Sequence, residues 1–361
     1  MPRRERNIYK RKDGRYEARY IEERDENGKA KYGAVYARTY VEVKAKRDQV
    51  KAKIQHTEIL KLLPHTIVSE LESYLQNIQT QVKESTYCLY QRYLEKYISP
   101  HFKNILCSQM SLKIMQGFVD RFLEDGLSVV TAQSVFGFLK NGFKYLPQDI
   151  FAVKLPKHIP QKVEVLSLEE QKRLESAAKD SDAINKISVL LCLYTGIRIG
   201  ELCGLLWNDI DFERQLLRVE RTVQRITKNG MTEKTKVICL TPKSATSKRS
   251  IPLPDFLIEL LKEHRRNDAD SYVITLNGGP IEPRTLQRRF KKLLVIANVR
   301  DVVFHVLRHS FSARALENGF DIKTLSEILG HSSATITLSK YAHVLDEHKR
   351  RNMESLGKLF Q

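Results

Sequence analysis

Apolar positions recur along the chain with different spacings, and the changes of spacing divide it. In "RYEARYIEERDENGKAKYGAVYA", Tyr16, Ala18 and Tyr20 alternate with charged residues, the period of a half-buried strand. Asn27-Gly28 supplies a hairpin turn before a further strand over Tyr32 to Ala37. "TYVEVKAKRDQVKAKIQHTEIL" then takes helical spacing. A small three-stranded sheet covered on one face by one short helix is the expectation for residues 1–64.

After Pro64 the period stays near that of a helix through residue 152 or so. "STYCLYQRYLEKYISP" sets Tyr90, Tyr93, Leu94, Tyr97 and Ile98 on one stripe that stops at Pro100. "LKIMQGFVDRFLEDG" and "VVTAQSVFGFLKNGFKYL" are two further helices, so residues 65–155 read as an all-α bundle of four or five helices. "VKLPKHIPQKVEV", with Pro156 and Pro160, is an extended linker. Beyond it "SLEEQKRLESAA" opens a helix with a capping box, Ser167 with Glu170, and the apolar helix "NKISVLLCLYTGI" follows. Short strands occupy Asp211 to Pro254, and helices return to the end of the chain. The fold class is therefore multidomain α+β: sheet plus helix (1–64), helical bundle (65–155), and a mainly α domain with a small antiparallel sheet (156–361).

Charge changes the picture. Lys and Arg number 61 against 43 Asp and Glu, a net charge of +18 over 361 residues. A chain so basic binds a polyanion or tolerates self-repulsion, and nucleic acid is the first partner to consider. The start "MPRRERNIYKRKDGRYEARY" has no apolar signal core, and the apolar run Ile187 to Ile197 is too short to cross a bilayer, so no membrane role is expected. In residues 1–64, Arg11, Lys12, Arg15, Arg19, Lys29 and Lys31 are candidate DNA contacts, with a solvated charged face as the competing reading. Cys88, Cys107, Cys192, Cys203 and Cys239 form no C-x-x-C pair and read as reduced packing residues.

The chemistry concentrates where charged residues interrupt apolar runs. Arg198 stands between Ile197 and Ile199 in "YTGIRIGELCGLLW", and Glu201 lies one helical turn on as its orienting partner. In "HVLRHSFSARAL", His305 and Arg308 share a helix face. "ILGHSSATITLSKYAHV" adds His331 after a glycine and Tyr341 ten residues later. Two arginines on the non-bridging oxygens of a phosphodiester would stabilise its trigonal-bipyramidal transition state more than its ground state. His305 and His331 would add hydrogen bonds or shuttle protons, and Tyr341 would supply a phenol nucleophile. Taken singly, each residue also fits a structural ion pair, a helix end or a core position. His305 and His309 have the i, i+4 spacing of a zinc pair, but Val306 stands where a zinc hydrolase carries its glutamate base, so no metal or other cofactor is expected.

In "YTGIRIGELCGLLWNDID", "TPKSATSKRSIPLP", "HVLRHSFSARALENGFDIKTLSEILGH" and "ITLSKYAHV" the chain resembles the tyrosine recombinases, in particular the integrases of temperate phages and conjugative transposons. The motifs stand in family order; the first two segments match by layout, as arm-binding and core-binding domains. Val306 departs from the polar residue often found there and leaves the catalytic positions intact. The resemblance implies that Arg198 and Arg308 bind phosphate, that His305 and His331 support them, that Glu201 backs the first arginine, and that Tyr341 forms a 3′-phosphotyrosyl link. It also implies a lysine general acid on a β-hairpin turn, Lys243 or, on the same turn, Lys248. The implied partners are double-stranded DNA at core and arm sites, a homotetramer on that DNA, and an excision factor and a host DNA-bending protein. The implied setting is the cytoplasm of a prokaryotic host, at the nucleoid, with integration or excision of a mobile element as the outcome. Two other readings stand beside it: a type IB topoisomerase, and a non-catalytic DNA-binding regulator on the same fold.

Overall fold

A computed structural model describes residues 7–24, 29–61, 65–146, 148–157, 163–227, 235–240, 248–265, 268–341, 353 and 357. It divides into two compact units, Met1–Ile159 and Pro160–Gln361.

The first unit begins with the antiparallel sheet β1 (Ile8–Lys10), β2 (Tyr16–Arg24) and β3 (Ala30–Ala37), in that order. Asn27-Gly28, the expected turn, lies outside the described residues. Ala18 pairs with Ile8 and Val35, which places these residues on one face, and Val43 of helix α1 (Tyr40–Lys61) joins Ile8, Ala18 and Ala37 in a small core. The helix is not short: it runs 22 residues, because no glycine or proline interrupts the sequence from Tyr40 until Pro64. The opposite sheet face carries Tyr9, Glu17, Arg19, Tyr32 and Tyr36, which the register aligns across the three strands.

The same unit contains α2 (Ile67–Ile78), α3 (Glu84–Tyr93), α4 (Ser99–Phe102), α5 (Leu112–Glu124) and α6 (Val129–Gly142). Thr66, Ser111 and Ser128 cap α2, α5 and α6 with their hydroxyls. Pro100 does not end the tyrosine helix as expected. Residues Leu94–Ile98 widen into a π turn, in which Ser99 N–H donates to Leu94 O, and the helical path continues to Phe102. The wider turn admits a ring that carries no N–H. Tyr90, Tyr93 and Tyr97 are partly buried against the core, and Tyr90 stacks on Phe138 at 4.7 Å between ring centroids. The tyrosine stripe is a packing face.

In the second unit α7 (Leu168–Lys179) has the capping box of Ser167 and Glu170, both halves formed. Helix α8 (Ala183–Thr195) ends at Gly196, whose φ of 63° is the left-handed conformation that favours glycine. A short α9 (Ile199–Cys203) leads into β4 (Ile210–Asp211), β5 (Leu216–Val219) and β8 (Arg249–Pro252), a three-stranded antiparallel sheet in the order β4-β5-β8. Strands β6 (Thr222–Thr227) and β7 (Thr235–Leu240) form a separate ribbon. Helices α10 (Asp255–His264), α11 (Pro283–Ile296), α12 (His305–Glu317) and α13 (Ile322–Leu329) follow, and residues 334–341 are helical again. Leu190, Leu205, Leu217, Ile251, Leu286 and Leu307 meet in the main core, which gathers helices and sheet into one body. Four of the five cysteines are buried as expected; Cys239, on the ribbon, is exposed. No helix among the described residues is long and apolar enough to cross a membrane.

Candidate functional site

Three arginines converge on one helix end. Gly330 closes α13 with φ 61°, and a helix that ends this way leaves its last carbonyls to find partners elsewhere. Here those partners are guanidinium groups. Arg249 donates to Ile328 O at 2.5 Å, Arg308 to Leu329 O at 2.7 Å, and Arg198 to Gly330 O at 3.1 Å. Arg308 also donates to Gly196 O at 2.6 Å, so the left-handed turn after α8 and the end of α13 clamp it from two sides. Carbonyls orient a guanidinium without cancelling its charge, and the negative end of the helix dipole favours cations at this place.

One carboxylate is shared among them. Glu201 is buried; it accepts from Arg198 Nη1 at 2.8 Å and Arg198 N at 3.0 Å, and from Arg249 Nη2 at 2.9 Å and Nη1 at 3.2 Å. Burial alone would raise its pKa, but the hydrogen bonds and charges of Arg249 and Arg198 outweigh burial and hold it below the ordinary value. Arg308 is 2% exposed, and burial followed by the charge of Arg198 lowers its pKa to about 9, which leaves it protonated at neutral pH. The Arg198 side chain is 35% exposed. The cluster therefore keeps positive charge with a face open to solvent, a setting suited to an anion.

The histidines border it. His331 accepts from Arg308 at Nε2, 3.1 Å, so its Nδ1 carries the hydrogen and donates to Thr337 Oγ1 at 2.8 Å, an assignment made from the bonding network. His305 is exposed at the first turn of α12 and meets the His309 ring edge-on, 4.5 Å between centroids. Desolvation, then the charge of Arg308, pushes His331 down to about 3, so it is neutral at physiological pH; the same causes lower His305, less firmly because its side chain is open to solvent.

Tyr341 is 1% exposed and packs with Ala313, Leu316, Leu325 and Leu329. Its hydroxyl meets His309 Nδ1 at 2.7 Å. Burial raises its pKa against the opposing effects of a Ser312 hydrogen bond and the Arg308 charge, so the phenol is neutral at rest. The residue is thus both a core side chain and a neighbour of the arginine cluster.

Three neighbours escape a reading of the sequence. Arg249 begins a strand whose alternation in "KRSIPLP" points it inward. His309 is visible there only as the second member of a zinc-spaced pair. Lys340 adjoins Tyr341, and partial burial together with the charges of Arg308 and Arg198 lowers its pKa. Lys243 falls within residues 241–247, outside the described residues. Lys248 is paired with Glu220 at 3.0 Å, its side chain 54% exposed.

In the sheet, Arg19 lies on the open face and bonds to Glu17 at 2.8 Å; Arg11 reaches the same carboxylate at 3.0 Å and lies over the Tyr36 ring at 5.3 Å. Arg15 pairs with Asp13 and also approaches Tyr36. Lys12 and Lys29 are exposed outside the strands, and Lys31 shares the register side of Val35, opposite the tyrosines.

Residues 164–348 match the profile of the phage integrase family, and residues 66–123 match that of the phage integrase N-terminal SAM-like domain. The chain belongs to the phage integrase family. Among curated relatives of this integrase family member, a XerC-like tyrosine recombinase of Caldanaerobacter subterraneus subsp. tengcongensis is 32% identical over 375 residues, which covers 93% of this chain and 94% of the relative. A tyrosine recombinase XerA of Thermococcus onnurineus is 28% identical and covers 80% of this chain and 94% of the relative. The Tn1549 transposon integrase, solved in complex with transposon right end DNA, shares the fold with a TM-score of 0.65 at 22% identity, over 81% of this chain and 100% of that one. A lambda integrase dimer bound to a core site aligns over 94% of this chain and 96% of that one, with a TM-score of 0.58 at 19% identity. The SAM-like match falls on the bundle from α2 into α5, and the family match covers every residue of the arginine site.

Proposed function

We propose that the protein is a site-specific DNA recombinase, an integrase that cuts and rejoins DNA through a 3′-phosphotyrosyl intermediate to integrate or excise a mobile element. The observation that carries the reading is the convergence of Arg198 and Arg308 on the end of α13, beside His331, with Tyr341 packed against the same helix.

In this reading the open side of Arg198 and the guanidinium of Arg308, once it is uncovered on DNA, take the non-bridging oxygens of the scissile phosphate; His305 adds a donor beside them, and His331, whose Nε2 accepts from Arg308 in the free protein, supports that arginine. Negative charge grows on those oxygens in the transition state, so fixed cations act there more than on bound substrate. The Tyr341 oxygen attacks phosphorus, its proton passes to a neighbouring base, and the 5′ oxygen departs with a proton from the hairpin lysine, Lys243 by preference over Lys248. A 5′ hydroxyl of the partner duplex then reverses the step. One phosphate ester replaces another, so no external energy source or cofactor is required. Glu201 acts by aligning Arg198.

The reading includes the three-part division at about residues 64 and 155: arm-binding sheet, core-binding bundle, catalytic domain. Four protomers on two duplexes would exchange strands in turn, and the structures of integrase relatives on DNA support DNA as the partner. An excision factor and a host DNA-bending protein are further candidate partners.

The test is incubation with a nicked half-site from the ends of the element that carries the gene, followed by a denaturing gel. A DNA-linked band with the native chain and none with Tyr341→Phe is the expected result. Relaxation of a plasmid without joining of two sites would move the assignment to a topoisomerase, and confirmed binding without a band would move it to a regulator.

A further inference from the structure

The hydroxyl of Tyr341 has a partner that the proposed mechanism leaves without a role. Helix α12 presents His305 and His309 one turn apart on one side, with Arg308 between them in sequence and turned to the arginine cluster. His305, at the first turn, is exposed; His309, one turn deeper, is half-buried. The hydroxyl lies against the deeper of the two, at 2.7 Å from Nδ1. The ring centroids of His309 and Tyr341 are 6.0 Å apart at 61°, an edge contact that leaves the hydroxyl aimed at the imidazole nitrogen.

Two facts define this arrangement as a resting one. Tyr341 is 1% exposed, so no DNA phosphate can reach its oxygen unless the side chain moves. The hydroxyl is also occupied. Desolvation, the largest cause, lowers the His309 pKa to about 3, so the ring is neutral and offers a lone pair at Nδ1, and a phenol is the better donor of the two. The hydroxyl also meets Ser312, so leaving His309 costs it one of two partners and leaves the buried imidazole nitrogen unpaired until another is found.

We propose that His309 is a positioning residue for the nucleophile: its Nδ1 seats the Tyr341 hydroxyl inside the domain in the DNA-free protein, and the hydroxyl leaves that seat for the phosphate site when DNA is engaged. The assignment rests on Tyr341 as nucleophile. The seat keeps the phenol away from water and from stray phosphodiesters until the arginine cluster is filled, and it lowers the population of the released side chain in the free protein. His305, one turn away on the same side of the helix, is exposed and meets the His309 ring edge-on.

The seat is tested on the full chain without DNA, by nitration with tetranitromethane and mass spectrometry of the peptide that contains Tyr341. His309→Ala removes the acceptor and should speed nitration of Tyr341 roughly two- to tenfold, the range expected for loss of one hydrogen bond, while the rates of Tyr90 and Tyr97 in the bundle stay unchanged. His309→Asn keeps an acceptor oxygen near the position of Nδ1 and should restore the slow rate. Should the alanine variant fail to fold, His309→Phe keeps ring volume without the acceptor and carries the same expectation. On the nicked half-site at saturating DNA, the alanine variant should form the covalent band at least as fast as the native chain. Native-like nitration in both folded variants would overturn the seat. A covalent band slowed tenfold or more with unchanged nitration would overturn it too, and would make His309 a proton acceptor in the reaction. A DNA-linked band that persists in Tyr341→Phe would instead remove the nucleophile assignment, whatever the nitration rates.

Discussion

Arg19, on the open face of the amino-terminal sheet, is 61% exposed and held by the carboxylate of Glu17, whereas Arg308 is 2% exposed and held by the carbonyls of Gly196 and Leu329. A carboxylate partner cancels charge and leaves a long side chain to choose between it and solvent. Carbonyl partners at a helix end fix direction and leave the charge standing. The first arrangement suits contact with a screened polyanion through several exchangeable groups; the second suits one phosphate that must be held in one geometry. Basic residues of the two units thus differ in the work they can do, although a count of charges treats them alike.

The sharpest way to break the comparison is to remove the buried arginine. Arg308→Ala should lower the rate of covalent-band formation by about 100- to 1000-fold, the range for losing one preorganised donor to a developing oxyanion. Its affinity for the same half-site, measured by gel shift, should fall far less. Equal losses in rate and affinity would mean that Arg308 binds substrate and transition state alike.

Glu201 gives the next largest effect, and it appears as stability. Its folded pKa lies below the ordinary value, so its contribution is present above an unfolded pKa near 4.5 and is lost as pH falls through the lowered folded value. Glu201→Gln should therefore cost about 1–3 kcal/mol at pH 7, where two guanidinium groups lose a charged acceptor, and the difference should shrink toward zero as acid protonates the native carboxyl. Urea unfolding at pH 7 and pH 3 measures it. A gap that does not close in acid would mean that packing, and not charge, explains the loss.

Elements with a strong local signal were legible in the sequence. The capping box at Ser167, the glycine stop at Gly330 and the alternation of Tyr16, Ala18 and Tyr20 each depend on neighbours within a few residues. Arg198, Arg308, His331 and Tyr341 came together from their motifs, and Glu201 is the partner of Arg198 that its spacing suggested. What the sequence hid depends on interactions across long stretches of chain. Arg249 reaches Ile328, and His309 reaches Tyr341, through folding that no local pattern encodes. The turn at Pro100 departs from expectation for a different reason: a proline normally ends a helix, and here a widened turn absorbs it.

A smaller effect is expected on the sheet. Arg11→Gln with Arg19→Gln should weaken binding to an arm-site duplex and flatten the log–log salt dependence by up to about 2, near 0.9 for each phosphate that is no longer neutralised. Binding to the core half-site, and the rate of the covalent band on it, should not change. An unaltered slope would return both residues to the role of a solvated charged face held by Glu17.

The smallest effect sharpens the assignment of the leaving-group acid. Lys248 is more than half exposed and its ammonium lies 3.0 Å from Glu220, a surface pair of the kind that contributes about 0–1 kcal/mol. Lys248→Ala should thus leave thermal stability nearly unchanged and slow the covalent band less than threefold, if Lys243 donates the proton. The two lysines separate on a substrate with sulfur in place of the 5′ bridging oxygen. A thiolate leaves without a proton, so the variant that lacks the acid recovers its rate on that substrate, while a variant weakened in binding or alignment does not. Rescue of Lys243→Ala with a near-native Lys248→Ala is the expected pair of results. Rescue of Lys248→Ala instead would require its ion pair with Glu220 to open on DNA, and would place the acid on an exposed surface side chain beside a site whose arginines are fixed in advance.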